Sequence, residues 1–161
     1  MEVRNTVMAN LDEVMDIYAN GRQIMRTSGN PNQWGDDKPY REQIINDINI
    51  GNSYVVVSDG VICGVFAFIL GEDPTYAYIE GKWLNDEPYG TIHRIATAGK
   101  VKGILKTAVE YGFTKVNNVR VDTHHDNMIM QHLLEKNGFT YCGVIYLEDG
   151  DPRKAYQKTR L

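Results

Sequence analysis

The run from Ser53 to Leu70, SYVVVSDGVICGVFAFIL, limits the fold more than any other stretch of the chain. Two segments rich in β-branched and aromatic residues flank Ser58-Asp59-Gly60, a tight-turn signal, so the run reads as a β-hairpin. Further along, the alternating NNVRVDT is followed by the helical pattern DNMIMQHLLEKNG and then by the strand-like FTYCGVIYL. A strand, a helix and a strand in that order make a crossover connection, which a hairpin is not. A chain holding both builds a mixed sheet, and the fold class is therefore α/β.

The remaining elements fit around that frame. A first strand is predicted over residues 2–7, and Asn10 or Asp12 caps a helix carrying Val14, Ile17, Tyr18, Ile24 and Met25 at helical spacing. After the loop TSGNPNQWGDDKPY comes a short helix, REQIINDI, and after the hairpin and an aromatic loop comes a strand, GTIHRIAT. Val101, Ile104, Leu105, Ala108 and Val109 then form one apolar helical stripe. Asp126 is the expected N-cap of DNMIMQHLLEKNG and Gly138 its stop. EDGDP reads as a turn and KAYQK as the last strand; an edge strand at residues 154–158 would let two copies pair as a homodimer. The order β-α-α-β-β-β-α-β-α-β-β, without repeat or linker, makes residues 1–161 a single domain.

Composition removes several function classes. A net charge of −4 argues against a nucleic-acid partner, whose binding rests on a basic surface. The longest apolar run, VICGVFAFIL, falls well short of the ~20 residues a membrane helix needs, and MEVRNTVMANLDEVMDIY has no basic segment followed by an apolar run, so no signal peptide is expected. Cys63 and Cys142 lie far apart in strand-like runs with no CxxC pair, which fits small buried hydrophobes in a reducing cytoplasm. DTHHDN gathers Asp122, His124, His125 and Asp126, but adjacent histidines on an extended segment point to opposite sides, so no metal is expected. There is no G-x-S-x-G for a serine hydrolase.

HRIATAGKVKGILKTAVEYG, residues 93–112, is a strand, a glycine-bearing turn with two lysines, and an amphipathic helix. The first N–H groups of a helix lack internal partners and the helix dipole favours an anion there, so the stretch has the form of an anion cradle. Continued by VRVDTHHDNMIMQHLLEKNGFTYCGVIY, it resembles the GNAT superfamily of acyl-CoA-dependent N-acetyltransferases. NQWGDDKPY and EGKWLNDEPYGTIHRI are similar to a bacterial branch whose acceptors are mostly undefined.

The resemblance implies a GNAT-like fold: a mixed, mostly antiparallel sheet with splayed parallel central strands and flanking helices. It also implies direct attack by a primary amine of a small molecule or peptide on acetyl-CoA in a ternary complex, with no metal. The family's pyrophosphate motif, Q/R-x-x-G-x-G/A, falls on Lys100, Val101, Lys102, Gly103, Ile104 and Leu105. Lys replaces the opening Gln or Arg, and Leu105 replaces a small residue, bringing a bulky side chain towards a phosphate oxygen. The oxyanion donor is expected as a backbone N–H near Ile95 or Ala96, with Thr97 continuing towards the pantetheine. Asn127 inherits a contact to the CoA arm, the alternative being a first-turn asparagine beside the cap. Leu134 stands where many relatives carry the tyrosine that protonates the departing thiolate.

Side-chain chemistry adds candidates. His93, sharing a strand face with Ile95, is the first choice of base, although a half-buried structural histidine reads the same way. His124, just past the next strand, is the second. Trp34, Tyr40, Glu80 and Trp83 lie in or beside loops suited to an acceptor pocket, where Glu80 would attract a cationic amine. Leu105 and Leu134 motivate the alternative, a catalytically degenerate acyl-CoA-binding or sensor domain.

Overall fold

In the computed structural model, which describes residues 1–160, the hairpin forms as read: β2 (Ser53–Ser58) pairs antiparallel with β3 (Val61–Leu70). Asp59 and Gly60 both take positive φ, 51° and 76°, and a turn of that hand matches the twist of the strands it joins. On the outer side of β2 lies β1 (Glu2–Asn5). On the inner side of β3 lies β5 (Gly90–Thr97), followed by β6 (Asn118–Thr123). Beyond β6 come β8 (Pro152–Thr159), β7 (Thr140–Tyr146) and a two-residue strand, β4 (Glu80–Gly81), which sequence reasoning missed inside the aromatic loop.

All pairings in this eight-stranded sheet are antiparallel except β5–β6. That parallel pairing holds only at Gly90↔Val119 and Thr91↔Arg120, after which the two strands part. The expected splay is therefore real, and it opens at the carboxyl ends of both strands. The run 154–158, in contrast, is no edge: β8 pairs with β6 on one side and β7 on the other. Both of its hydrogen-bonding sides are used, which removes the basis for the expected dimer contact.

Alternation along β2 assigns the faces. Val55 and Val57 pack with Val14, Ile17 and Ile44 beneath α1 (Leu11–Thr27) and α2 (Arg41–Asn49). Val56 faces the other way, into a core shared with α3 (Ile104–Phe113) and α4 (Met128–Lys136). Gly64 of β3 permits that close approach, because a β-carbon there would lie 2.7 Å from Ile104 Cγ2. A third cluster, Tyr76, Tyr89, Ile145 and Ala155, seats the aromatic loop on the sheet, with Trp83 beside it. Buried Arg120 lies between two rings there, its guanidinium carbon 4.0 Å from the centre of Trp83 and 3.9 Å from that of Tyr89. Among the described residues no helix is long and apolar enough to cross a membrane.

Helix starts depart from the sequence reading twice. The helix expected from Val101 begins at Ile104, because Gly103 adopts a left-handed conformation, φ 89°, at its N-cap. The N-cap of α4 is Asn127 and not Asp126: Asn127 Oδ1 accepts from Met130 N–H at 3.0 Å.

Candidate active site

The site begins with an irregularity in β5. Val65 pairs with Ala96 and Ala67 with His93, so Phe66 opposes both Arg94 and Ile95, a β-bulge. Arg94 sits in the left-handed region at φ 49°, a conformation that costs roughly 1 kcal/mol or more for a residue with a β-carbon. Three hydrogen bonds hold it there. Its Nε and Nη2 donate to Asp47 Oδ2 and Oδ1, each at 2.9 Å, and its carbonyl accepts from Tyr18 OH at 2.8 Å. Asp47 lies in α2 and Tyr18 in α1, so both helices tie down the bulge. Burial, ahead of the neighbouring Asp47 charge, pushes the Tyr18 phenol well above its usual range, which keeps it a proton donor to that carbonyl.

The bulge also breaks the alternation on which the sequence reading relied. Ile95 packs against the α3 core, while His93 projects to the other face, towards Asp73 and Tyr76. His93 and Ile95 thus do not share a face.

Two adjoining cavities meet at this point. The first, about 350 Å³, occupies the splay and is lined by His93, Asp73, Asp122, Thr123 and Arg153 among others. The second, about 130 Å³ and mostly apolar, runs past Ile95, Ala96, Thr97, Ile104, Leu105 and Asn127 towards the start of α3. Met25, Trp34, Ile95, Asn127 and Met130 line both. No tyrosine lines either one.

In the first cavity His93 Nε2 lies 2.9 Å from Asp73 Oδ2. Asp73 Oδ1 accepts from the N–H and hydroxyl of Thr75, at 2.9 and 2.7 Å. Burial works to raise the Asp73 pKa, but the bonds from His93 and Thr75 outweigh it and bring it down to about 2. An ionised Asp73 accepts a hydrogen bond from Nε2–H, which in the neutral ring makes Nδ1 the acceptor, and Nδ1 has no partner among the described residues. Asp122, two residues beyond the last β5–β6 pair just as His93 is, accepts from Tyr76 OH through Oδ2 at 2.6 Å. Its Oδ1 has no partner among the described residues.

The other candidates divide. Ile95, Ala96, Thr97, Ile104, Leu105, Asn127 and Trp34 come together along the two cavities. Lys100, Lys102 and Gly103 form the loop leading into α3 and line neither. Leu105 is 5% exposed and belongs to the core, so its side chain turns inward and does not stand over the helix start as expected. Asn127 is bound at both ends of its amide: beyond the cap, Nδ2 donates to Gln33 Oε1 at 2.8 Å.

His124 is buried and lines neither cavity. Its Nδ1 accepts from Asp126 N–H at 3.0 Å, and burial, followed by the Arg153 charge, lowers its pKa. Residues 124–127 form a turn and not an extended segment, so the rings of His124 and His125 stack at 4.3 Å instead of pointing apart. With Asp126 their ligand atoms lie within 4.8 Å of one another, and among the described residues no fourth His, Cys, Asp or Glu joins them. Tyr40 is an exposed residue at the N-cap of α2. Glu80 accepts from Tyr146 OH at 2.5 Å on the exposed β4 edge, and Trp83 is engaged with Arg120. None of these three lines the two adjoining cavities.

Sequence reasoning missed Asp73, Asp47 and Gln33. The signal for Asp73 was its place before Pro74, where an aspartate caps a short turn; its alignment with His93 is a tertiary fact.

No family model matches the chain, and no protein of curated function does. Solved structures do. An acetyltransferase of the GNAT family from Streptococcus agalactiae superposes with a TM-score of 0.88 and 35% identity, over 99% of this chain and 95% of that one. A GNAT-family acetyltransferase from Listeria monocytogenes is 19% identical over 98% of this chain and 94% of its own, with a TM-score of 0.71. The aminoglycoside acetyltransferase AAC(6')-Ib, in complex with coenzyme A, has a TM-score of 0.68 at 19% identity over 98% and 94%. The latter two establish likeness of fold. The streptococcal match carries further, since more than a third of residues agree over nearly the whole of both chains, and the chain belongs to the GNAT family of acetyltransferases.

Proposed function

We propose that this protein transfers an acetyl group from acetyl-CoA to the primary amine of a small molecule or peptide, by direct attack in a ternary complex. The observation that carries this reading is the meeting of the two cavities at the β5 bulge. A thioester entering along the apolar channel would have its carbonyl beside the bulged backbone at Ile95 and Ala96, where an N–H outside the regular ladder acts as oxyanion donor. AAC(6')-Ib has been solved with coenzyme A, and with coenzyme A and kanamycin, which supports both a CoA site and a small-molecule acceptor on this fold.

The residues present fit the co-substrate. Gly103 in its left-handed conformation turns the chain so that the unpartnered N–H groups of Ile104, Leu105 and Lys106 face outward, and Lys100 and Lys102 add positive charge nearby. Leu105 buries its side chain and leaves that backbone open. Trp34 forms a wall common to the channel and the acceptor cavity.

On the acceptor side, Asp73 orients His93, and Nδ1 takes the proton that the amine nitrogen sheds as it bonds to the acetyl carbon. Collapse of the tetrahedral intermediate breaks the carbon–sulfur bond, and the imidazolium can return that proton to the thiolate. This route needs no tyrosine, which agrees with a fully buried Leu134 at the position where relatives carry one.

The absence of a tyrosine from the lining of both cavities favours one second reading, a domain that binds acyl-CoA as a sensor without turnover. Calorimetric titration with acetyl-CoA, followed by thiol release over a panel of amines, separates the two. Binding with thiol release is the expected result, and binding with no release on any amine selects the sensor. No binding at millimolar acetyl-CoA removes both readings. Lys102→Glu is expected to weaken acetyl-CoA binding several-fold.

A further inference from the structure

We infer that the acceptor is an amino carboxylate, whose carboxylate is received by Arg153 while its ammonium sits at Asp122; this rests on the acyl-transfer reading above. Arg153 is a buried cation whose side chain is 7% exposed, and it lines the splay cavity. Its internal partners occupy one corner of the guanidinium only: Nη1 donates to Asp151 Oδ2 and to the Pro152 carbonyl. The edge formed by Nε and Nη2 has no partner among the described residues. That edge can grip a carboxylate through two parallel hydrogen bonds, and the side chain to which it belongs lines the cavity.

The opposite pole lies close by. Asp122 of β6 pairs across the sheet with Ala155 of β8, and Arg153, two residues from Ala155, shares its face. Such diagonal neighbours are about 7–8 Å apart at the backbone. Asp122 keeps Oδ1 free for an ammonium and stands level with His93, the proposed base. The docked ammonium loses one proton to solvent before the neutral amine attacks, and the second passes to His93 as above. Arg153 lies one step towards the open end of the cavity. A neutral or purely cationic amine would satisfy the first pole and leave the second bare. An amino carboxylate satisfies both.

The test uses ω-amino carboxylates graded in chain length, each beside its own primary amide, with thiol release as the readout. At one or more lengths the acid should exceed its amide in kcat/KM by roughly tenfold or more, the scale expected of a bidentate charged pair. Arg153→Gln should bring that ratio close to one, and Arg153→Lys should restore it in part. Equal kcat/KM for acid and amide at every length in the wild type overturns the inference and leaves acyl transfer standing. If Arg153→Gln does not fold, the wild-type comparison decides alone. If no amine releases thiol, the acyl-transfer reading falls instead. Calorimetry of the same acid and amide pairs on CoA-loaded protein then decides this inference: tighter binding of the acid supports it, and equal or absent binding ends it.

Discussion

Arg94 and Asp47 meet through two parallel hydrogen bonds of 2.9 Å, and this pair holds an arginine in a left-handed conformation in the middle of a strand. Asp47→Ala should cost about 3 kcal/mol, because it leaves a mostly buried guanidinium without its partner. Arg94→Gly removes the charge and the backbone strain together, so the double variant should be more stable than Asp47→Ala alone. Urea denaturation of the two single variants and the double variant gives the comparison. A double variant no better than Asp47→Ala would mean the bulge does not depend on this pair.

Asp73 gives the chain an acid-sensitive contact. Its pKa is about 2 in the folded protein against an ordinary 3.8, through bonds from His93 and Thr75 that prevail over burial. A depressed carboxyl contributes stability that is complete above its unfolded value and disappears as pH falls through the folded one. About 2 kcal/mol should therefore be lost between roughly pH 4 and pH 2. Denaturation midpoints across that range should fall less steeply in Asp73→Asn than in the wild type.

Gly103→Ala tests the start of α3. A β-carbon there meets nothing closer than Met1 Cε at 3.5 Å, so the cost comes from the backbone conformation and not from crowding. Thermal unfolding should show a loss of about 1 kcal/mol. Because the change disturbs the helix start, acetyl-CoA affinity measured by calorimetry should fall with it.

Asn127→Ala removes the cap of α4 and the tie to Gln33 at once. The cap alone is worth about 1 kcal/mol. Asn127→Asp keeps the capping oxygen and loses the donor to Gln33, so chemical denaturation should rank it between the wild type and the alanine variant. Equal stability of the two variants would assign the whole effect to the Gln33 bond.

Local chemistry made much of this architecture readable. The β2–β3 hairpin follows from β-branched runs around Ser-Asp-Gly, and the splay of β5 from β6 from a strand–helix–strand order joined to a family resemblance. The signals failed where two local solutions compete or where the partner is remote. Asp126 and Asn127 are both good caps, and only the fold selects the one whose other end reaches Gln33. Val101 continues the apolar spacing of α3, yet Gly103 ends the helix ahead of it. His93 was legible as a titratable residue in a suggestive strand, whereas its partner Asp73 lies twenty residues away in a loop, brought close by the packing of the Pro74–Tyr76 turn. Trp83 and Glu80 lie away from the two cavities for a related reason: aromatic and acidic loop residues are equally suited to other places on a sheet, and here Trp83 packs on Arg120 of β6 while Glu80 pairs with the edge of β7.

The position of β8 between β6 and β7 bears on the order in which the molecule is made. Until the segment after Pro152 is synthesised, β6 has a bare edge and β7 has no neighbour on its inner side. Between the completion of β7 and that of β8 the nascent chain therefore carries two open strand edges, a state prone to pairing with other chains. Arg153 arrives with the strand that closes both, so the splay cavity gains that guanidinium in the same step that removes the hazard.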